Sequence, residues 1–383
     1  MKFIHIADVH LDMPFKLLGN LGEKRRLEQI EAMQKLIEYI KKNNIDYLFI
    51  SGDFYEHDYI RNTTIKTIIE SFSNIPNTKI YISPGNHDPY IKNSEYVKNT
   101  WPSNVHIFKN YEVIEEDNVN IYGYGFTDFY DNGIDLNDIE ILENGKKNIF
   151  VIHGDLASSE SSEGVGNNYN PLYLKKLSKL GFDYVALGHI HKSNFKNDNH
   201  VLYPGSFLSY RFSEDNPGAI VGEFKKGYTY TFSDNHREEG FRSNEEEQLY
   251  LNHISFDDSP FLIEDIDISD VNSKEELVGK INNLKLKENA YIKLIIKGNK
   301  NFEFTTNYLL DNINNSNIIT IKDESKNTRN LEEIAAENTL RGIFVKKALE
   351  KITEIKATSS DYKNDPEYLN MTKAIEIVLD EME

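Results

Sequence analysis

Residues 1–10 read MKFIHIADVH, an apolar run that is followed at once by Asp8 and His10. A short apolar run at 2–7 predicts a buried strand. The polar side chains after it are a carboxylate and an imidazole, both of which are common ligands of divalent metals. The segment therefore predicts a strand that carries metal ligands at its carboxyl end.

The same arrangement recurs four more times before residue 192. Further apolar runs predict strands, and helical periodicity at 23–42 and 62–72 separates the first three strands. The predicted strands and the polar residues that follow them are 46–51 with Gly52-Asp53, 79–83 with Gly85-Asn86-His87-Asp88, 148–152 with His153, and 184–187 with Gly188-His189-Ile190-His191. Strands that alternate with helices predict an α/β fold. Open α/β sheets bind ligands at the carboxyl ends of their strands, where all five polar clusters are expected.

Composition excludes several kinds of protein. The chain has no cysteine, which excludes disulfides, thiolate metal ligands and cysteine nucleophiles. A formal net charge of −19 at pH 7 weighs against a nucleic-acid coat protein, although bound divalent cations can invert the field locally. The N-terminal residues lack the apolar core of a secretion signal, and no run has membrane-spanning length. We therefore expect a cytoplasmic protein with no membrane association.

A chain of 383 residues exceeds what one hydrophobic core usually organises. Polar, acidic residues at 234–247 and a second polar stretch at 323–330 predict boundaries. We expect a catalytic domain at 1–235, a small α+β domain at 247–322 and a helical region at 330–383. The β-rich pattern at 201–232 predicts strands that close a second sheet. The apolar side chains of the helical region must be buried, either on the rest of this chain or against a partner helix.

Hydrolysis of a phosphate ester needs charge neutralisation, an activated water and a stabilised leaving oxygen. Two metal ions about 3.5–4 Å apart can supply all three. Taken singly, the motifs are weak, because a D-x-H pair or an isolated histidine often occurs by chance. GNHD and GHIH are more specific, and the ordered set of five clusters points to a dinuclear metal site.

In this order, D-x-H, GD, GNHD, a lone HG and GHxH resemble the calcineurin-like metallophosphoesterase superfamily over residues 1–191. The chain also resembles the SbcD/YhaO-type DNA repair exonucleases. The resemblance rests on the closeness of GNHD to the N-terminus, on the segment YPGSFLSYRFSE at 203–214, and on the small domain and the helical tail. The resemblance implies a four-layer α/β/β/α sandwich with a small α+β capping domain and C-terminal helices. It also implies a nuclease role for the first domain and partner docking for the helices.

The resemblance assigns a role to each polar residue of the five clusters. Asp53 would bridge the two metals and His87 would meet the leaving group, whereas Asp88 would either hold the His87 ring or cap the following turn. The remaining ligands divide into Asp8, His10 and His191 for one metal and Asn86, His153 and His189 for the other. Where relatives often carry His or Asp, this chain has Glu56 and then His57, and both stay outside the ligand set.

The implied function is that of a DNA exonuclease, with endonuclease activity as an addition, that uses two divalent ions. Manganese is the metal that the resemblance implies, and iron, zinc or cobalt would suit the same mixed ligands. The implied partners are DNA, an SMC-like or coiled-coil ATPase and a second copy of the chain. Alternatives are a small-molecule phosphodiesterase or protein phosphatase with the same metal core, and a non-catalytic scaffold. Arg211 is a candidate for substrate contact or for a structural role.

Overall fold

The computed structural model describes residues 1–157, 169–196, 200–214, 216–230, 241–358 and 361–382. The strands in chain order are β1 (Lys2–Ile6), β2 (Tyr47–Ile50), β3 (Lys79–Ile82), β4 (Val105–Ile107), β5 (Tyr111–Glu115), β6 (Val119–Tyr124), β7 (Lys147–His153), β8 (Asp155–Ala157), β9 (Pro171–Tyr173), β10 (Tyr184–Gly188), β11 (Val201–Leu202), β12 (Ala219–Tyr230), β13 (Phe241–Ile254), β14 (Phe261–Asp267), β15 (Tyr291–Lys297), β16 (Asn299–Lys300), β17 (Ile318–Asp323) and β18 (Lys326–Asn327). The α-helices are α1 (Gly22–Asn43), α2 (Asn62–Ser73), α3 (Glu95–Lys98), α4 (Leu174–Leu180), α5 (Lys274–Asn282), α6 (Thr306–Asn312), α7 (Leu331–Ala335), α8 (Leu340–Thr358) and α9 (Pro366–Met382).

Two sheets share an apolar layer in the first part of the chain. The first has the order β13-β12-β1-β2-β3-β4, in which β1 to β4 are parallel and β12 is antiparallel to both of its neighbours, β1 and β13. The second has the order β11-β10-β7-β6-β5, in which only β5 is antiparallel. Side chains alternate along each strand, so Phe49 lies between the sheets, whereas Leu48 and Ile50 lie on the outer face.

Helices cover the outer face of each sheet. On the first sheet, α1 and α2 bury a common apolar cluster that includes Leu36, Ile40 and Phe72. On the second sheet, α4 contributes Leu177 to a separate cluster. The layers therefore follow the order α/β/β/α, which confirms the predicted fold class. Leu27 fits the helical period but is exposed, because it lies on the outer side of α1.

The expectation that residues 201–232 close a second sheet is only half right. β11 pairs with β10 in the second sheet, but β12 pairs antiparallel with β1 in the first. The alternating pattern of β12 predicts a half-buried strand and carries no information about its neighbour. Residues 231 and 232 lie outside the described residues.

The chain forms two compact units. The first consists of Met1–Ile263, Lys285–Lys293 and Ser316–Ile319, and the second of Glu264–Leu284, Leu294–Asn315 and Thr320–Glu383. In the second unit α8 packs on α9 through an apolar cluster that includes Val345, Ile352 and Leu379.

Residues 234–240 of the predicted boundary at 234–247 lie outside the described residues, and residues 241–247 belong to the strand β13 and do not form a linker. The division into nuclease, capping and docking domains stays a prediction. None of the helices in the described ranges has the length and apolar content needed to cross a bilayer.

Candidate metal centre

The carboxyl ends of β1, β2, β3, β7 and β10 meet at one edge of the two sheets. The backbone amide of His10 donates to the carbonyl of Asp53 at 2.9 Å, and the amide of Asp8 donates to the carbonyl of Gly52 at 3.1 Å. These bonds hold the loops after β1 and β2 side by side. The structure brings together all the predicted ligands, which are Asp8, His10, Asp53, Asn86, His153, His189 and His191.

Four of these residues have a positive φ angle. The values are 49° for Asp8, 44° for His10, 49° for Asp53 and 110° for His189. Residues other than glycine rarely adopt positive φ, and such strain concentrates at functional sites. The loops are therefore shaped to aim these side chains at a common point.

Two glycines of the motifs are required by the space around them. Gly52 has a φ of +81°, and a Cβ there would lie 2.3 Å from Nδ1 of His153. At Gly85 a Cβ would lie 2.4 Å from Oδ1 of Asp53. Any side chain at either position would push a predicted ligand out of place.

The first group of candidate ligands is Asp8, His10 and His191, whose ligand atoms lie within 4.8 Å of one another. The Nε2 atoms of the two histidines are 3.0 Å apart. Nδ1 of His10 donates to Glu56 at 2.8 Å, and Nδ1 of His191 donates to Glu214 at 2.8 Å. With each Nδ1 proton directed to a carboxylate, the neutral form of each ring presents the lone pair of its Nε2 to the other ring. A cation between them would relieve the repulsion.

The second group is Asp53, His153 and His189, again within 4.8 Å. Nδ1 of His153 donates to the carbonyl of Ser51 at 2.9 Å, which leaves the lone pair on Nε2. That Nε2 lies 3.4 Å from Oδ2 of Asp53 and 3.1 Å from Oδ1 of Asn86. Burial lowers the pKa of His189 to about 4, so its imidazole is neutral. Acceptors converge here without a proton between them, as a cation site requires.

Asp53 belongs to the second group and also lies close to the first. Its Oδ2 is 3.8 Å from Nε2 of His10 and 3.4 Å from Nε2 of His153. Burial outweighs the nearby charge of His191 and raises the pKa of Asp8 to about 8, so an ionised Asp8 needs positive charge beside it. Carboxylate, imidazole and amide oxygen suit hard or borderline divalent ions. The donor set fits two such ions that share Asp53.

His87 is the most exposed histidine of this cluster, with 43% of its side chain accessible. Its ligand atom also lies within 4.8 Å of those of His10 and Asp53. Its Nδ1 donates to Glu56 at 3.1 Å. Burial lowers the pKa of His87, but the hydrogen bond to Glu56 and the charge of Asp53 outweigh it and raise the pKa to about 9. His87 can therefore carry a proton where a substrate can reach it.

Asp88 does not hold the His87 ring. Its carboxylate accepts hydrogen bonds from the backbone amides of Gly85 at 2.7 Å, Asp53 at 3.0 Å and Phe54 at 2.8 Å, and from the hydroxyl of Tyr96 at 2.5 Å. These four donors use its acceptor capacity, and no backbone amide of the turn after Asp88 is among them, so the structure shows neither of the two roles expected for this residue. The carboxylate beside His87 is instead that of Glu56.

Sequence reasoning left Glu56 and Glu214 out of the site. Glu56 contacts both His10 and His87, and these bonds outweigh its burial and lower its pKa to about 2. Glu214 contacts His191 and also accepts from the amide of Tyr210 at 2.6 Å. Two signals were available: Glu56 follows Asp53 by three residues, and Glu214 ends the segment at 203–214.

The cluster opens into a pocket of about 400 Å³ whose outer wall includes Lys192 and Arg211. Arg211 is exposed there, whereas Tyr210 is buried and its hydroxyl donates to the carbonyl of Val9. Because it is exposed, Arg211 can contact a substrate, whereas Tyr210 supports the loop after β1.

His57 lies beside this cluster and is not one of the candidate ligands. Its backbone amide donates to the carbonyl of His87 at 3.1 Å.

Comparison with known proteins agrees with this geometry. The family model described as calcineurin-like phosphoesterase matches residues 1–193. An uncharacterized metallophosphoesterase, YhaO of Bacillus subtilis, is 29% identical over 227 residues, which cover 54% of this chain and 53% of that protein.

Two further relatives are each named as one subunit of the nuclease SbcCD. The protein from Staphylococcus saprophyticus is 28% identical over 247 residues, covering 56% of this chain and 62% of its own length. The protein from Staphylococcus epidermidis is 26% identical over 251 residues, covering 56% and 63%. The chain thus spans less than two thirds of these curated relatives. Because the family model covers half of the chain and includes every predicted ligand, the chain belongs to the calcineurin-like phosphoesterase family.

Proposed function

We propose that this chain is a two-metal DNA phosphodiesterase that acts in DNA repair as an exonuclease and also cleaves internally. The observation that carries the proposal is the pair of ligand groups on either side of Asp53, in which acceptor atoms face one another. Phosphodiester hydrolysis is the chemistry that two adjacent divalent ions serve best.

The proposed division of the ligands is the one that the family resemblance implies. Asp8, His10 and His191 would hold one ion, Asn86, His153 and His189 would hold the other, and both ions would share Asp53. The proposed metal is manganese. When bound, the two ions neutralise charge on the phosphoryl oxygens and make water a better nucleophile.

His87 and Glu56 handle the leaving group in this proposal. Glu56 accepts a hydrogen bond from the Nδ1–H group of His87, which fixes the orientation of the ring and keeps the proton on Nδ1. Nε2 of His87 then gives its proton to the departing 3′-oxygen of the cleaved strand. Arg211, exposed in the same pocket, contacts the phosphate of the bound strand.

A nucleic acid as substrate is supported by the names of the two staphylococcal relatives, both of which are called nucleases. DNA is the nucleic acid that the family resemblance of the sequence implies. Each of those names also describes one part of a larger assembly, which supports a second protein as a partner. We propose that this partner is an SMC-like or coiled-coil ATPase. Its docking site would include exposed apolar side chains of α8 and α9, namely Leu340, Ile343, Leu369 and Ile377. A homodimer and a cytoplasmic location stay predictions.

A nuclease assay tests the proposal directly. The purified chain with manganese is incubated with each of several substrates in a separate reaction. The substrates are end-labelled linear duplex DNA, hairpin DNA, bis-p-nitrophenyl phosphate, cyclic nucleotides and a phosphopeptide. We expect degradation of DNA that stops when the metal is chelated. Hydrolysis of a cyclic nucleotide or a phosphopeptide with no cleavage of DNA would replace this proposal with a small-molecule phosphodiesterase or a protein phosphatase.

A further inference from the structure

Three aromatic side chains lie beside the metal centre, and we call Phe129, Tyr130 and Tyr169 the aromatic rim. The ring of Tyr169 is 5.4 Å from that of His189, and Tyr130 stacks on Tyr169 at 6.1 Å with an interplanar angle of 28°. Phe129 meets the ring of His57 edge-on at 5.4 Å. Tyr130 is 67% exposed and Phe129 is 37% exposed. The rim therefore offers aromatic surface to solvent next to the candidate ligands.

The rim touches the centre at two separate places. Tyr169 contacts His189, a candidate ligand of the second group. Phe129 contacts His57, whose backbone amide donates to the carbonyl of His87 at 3.1 Å. A strand held on the rim would therefore lie close both to a metal ligand and to the leaving-group histidine.

The backbone under the rim is held in place by Asp131. Its Oδ1 accepts from the hydroxyl of Tyr124 at 2.6 Å and from the amide of Gly133 at 2.8 Å. Its carbonyl accepts from the amide of Asn170 at 3.0 Å, which joins the two segments that carry the rim. Because these bonds fix the segments in advance, a ligand would not have to order them on binding.

Exposed aromatic rings next to a catalytic pocket suit a planar, uncharged partner. Every nucleobase has a π face, and stacking on a protein aromatic ring does not depend on base identity. The net charge of −19 opposes long-range attraction of a polyanion. Stacking on bases would supply binding energy that this charge does not oppose.

We propose that the aromatic rim stacks an unpaired base of the strand whose phosphodiester reaches the metal centre. The proposal rests on the proposed nuclease function and specifies its substrate as strand ends with unpaired bases. A fully paired end would first have to unstack its terminal base, so single-stranded and frayed ends are better substrates than blunt duplex ends.

The test combines two changes, one in the protein and one in the DNA. The variant F129L/Y130L removes two rings of the rim at exposed positions. The substrates are a single-stranded oligonucleotide and an abasic oligomer of the same length. For the wild-type chain with manganese we expect a KM about tenfold higher on the abasic oligomer, in keeping with the ordinary strength of base stacking. The variant should show the higher KM on both substrates, with kcat within about twofold of wild type on the oligonucleotide.

Two further variants control for indirect effects. Y250L removes an exposed tyrosine of β13, where Tyr250 lies opposite Glu223, which itself pairs with Lys2 at the start of β1. Tyr250 thus lies near the end of β1 that is farther from Asp8, so Y250L should have the wild-type KM. The Tyr130→Phe variant retains an aromatic ring and should also have the wild-type KM.

The outcomes separate the two proposals. If F129L/Y130L and the wild type share the same KM on the oligonucleotide, the stacking role is overturned while the nuclease proposal stands. If the wild type hydrolyses bis-p-nitrophenyl phosphate but no oligonucleotide, both proposals fail. If the wild type has the same KM on the abasic oligomer as on the oligonucleotide, base stacking is overturned whatever the variants do.

Discussion

The carboxylate of Glu56 lies between two histidines that have different tasks in the proposed mechanism. One oxygen accepts from Nδ1 of His10 at 2.8 Å, and the other accepts from Nδ1 of His87 at 3.1 Å. A single side chain therefore orients both a candidate metal ligand and the candidate proton donor. Such supporting contacts commonly matter nearly as much as the ligands themselves.

We expect His87→Ala to lower kcat by about 10²- to 10⁴-fold, the usual contribution of a general acid, and to leave metal binding intact. The ring is partly exposed, so its removal should not unfold the chain. The measurement is kcat on linear duplex DNA, whose departing 3′-oxygen needs a proton, together with the manganese content after dialysis. Unchanged kcat in this variant would remove His87 from the mechanism.

We expect Glu56→Gln to lower both kcat and manganese affinity by about 10- to 100-fold, because a glutamine side chain cannot accept from both histidines through two oxygens. Steady-state kinetics across a manganese titration measures both quantities. The matched control is Glu112→Gln. Oε2 of Glu112 lies 3.0 Å from Nε2 of His106, and neither residue belongs to the candidate metal centre. Equal effects of the two substitutions would contradict a specific role for Glu56.

At the scale of residues, each motif follows its own strand, and the structure brings the side chains of the candidate ligands together. The carboxylates that support them are harder to predict, since Glu214 reaches His191 only through the path of the loop between them. Asp88 shows the opposite error. Adjacency to His87 in sequence suggested a contact, but the turn directs its carboxylate to the backbone amides of Gly85 and Asp53.

Among the elements, helix α1 is tied to two other segments by one buried arginine. Arg25 is fully buried, and its Nη2 donates to Asp257 at 2.9 Å and to the carbonyl of Ser209 at 2.6 Å. Ser209 precedes Tyr210, whose hydroxyl donates to the carbonyl of Val9 beside the ligands of the first strand. The arginine thus joins α1 to the loop that supports the metal centre.

We expect Arg25→Met to lower the free energy of unfolding by about 3–5 kcal/mol, because Asp257 would be left as an uncompensated buried charge. Urea denaturation followed by circular dichroism measures the change. Arg26→Met is the matched control: Arg26 pairs with the exposed Glu23, and such surface pairs contribute about 0–1 kcal/mol. A loss no larger at Arg25 than at Arg26 would show that the buried pair is not a structural link.

The same pair predicts a pH dependence. Burial raises the pKa of Asp257, but the charge and hydrogen bonds of Arg25 outweigh it, so the pKa in the folded chain lies below its usual value. The stabilisation is therefore present above the unfolded pKa of about 3.9 and is lost as pH falls through the folded pKa. The difference in unfolding free energy between wild type and Asp257→Asn should be largest near pH 7 and should shrink below about pH 4. A difference that grows in acid would have the wrong sign.

Elements with strong periodicity are predicted to within a residue or two, as α1 and α2 show. Their neighbours in the sheet are not, as β12 shows by pairing with β1 in the first sheet and not with a strand of the second. Pairing between β12 and β1 joins residues more than 200 positions apart, such as Lys2 and Glu223. Nothing in the local pattern of either strand specifies that partner.

For the whole molecule, strands that alternate with helices in the sequence predict an α/β fold. The order α/β/β/α is what the family resemblance implies, and in the structure both faces of each sheet carry apolar side chains. Neither the pattern nor the resemblance predicts the units, because the second unit is built from three separate stretches of chain. Composition shifts mark breaks along the sequence and cannot show a segment that returns to an earlier unit.

In the proposed mechanism two metal ions share Asp53. Anomalous scattering from crystals soaked with manganese tests this arrangement. We expect two peaks about 3.5–4 Å apart, one beside Asp8, His10 and His191 and the other beside Asn86, His153 and His189, with Asp53 between them. A single peak, or manganese bound only away from these residues, would contradict it.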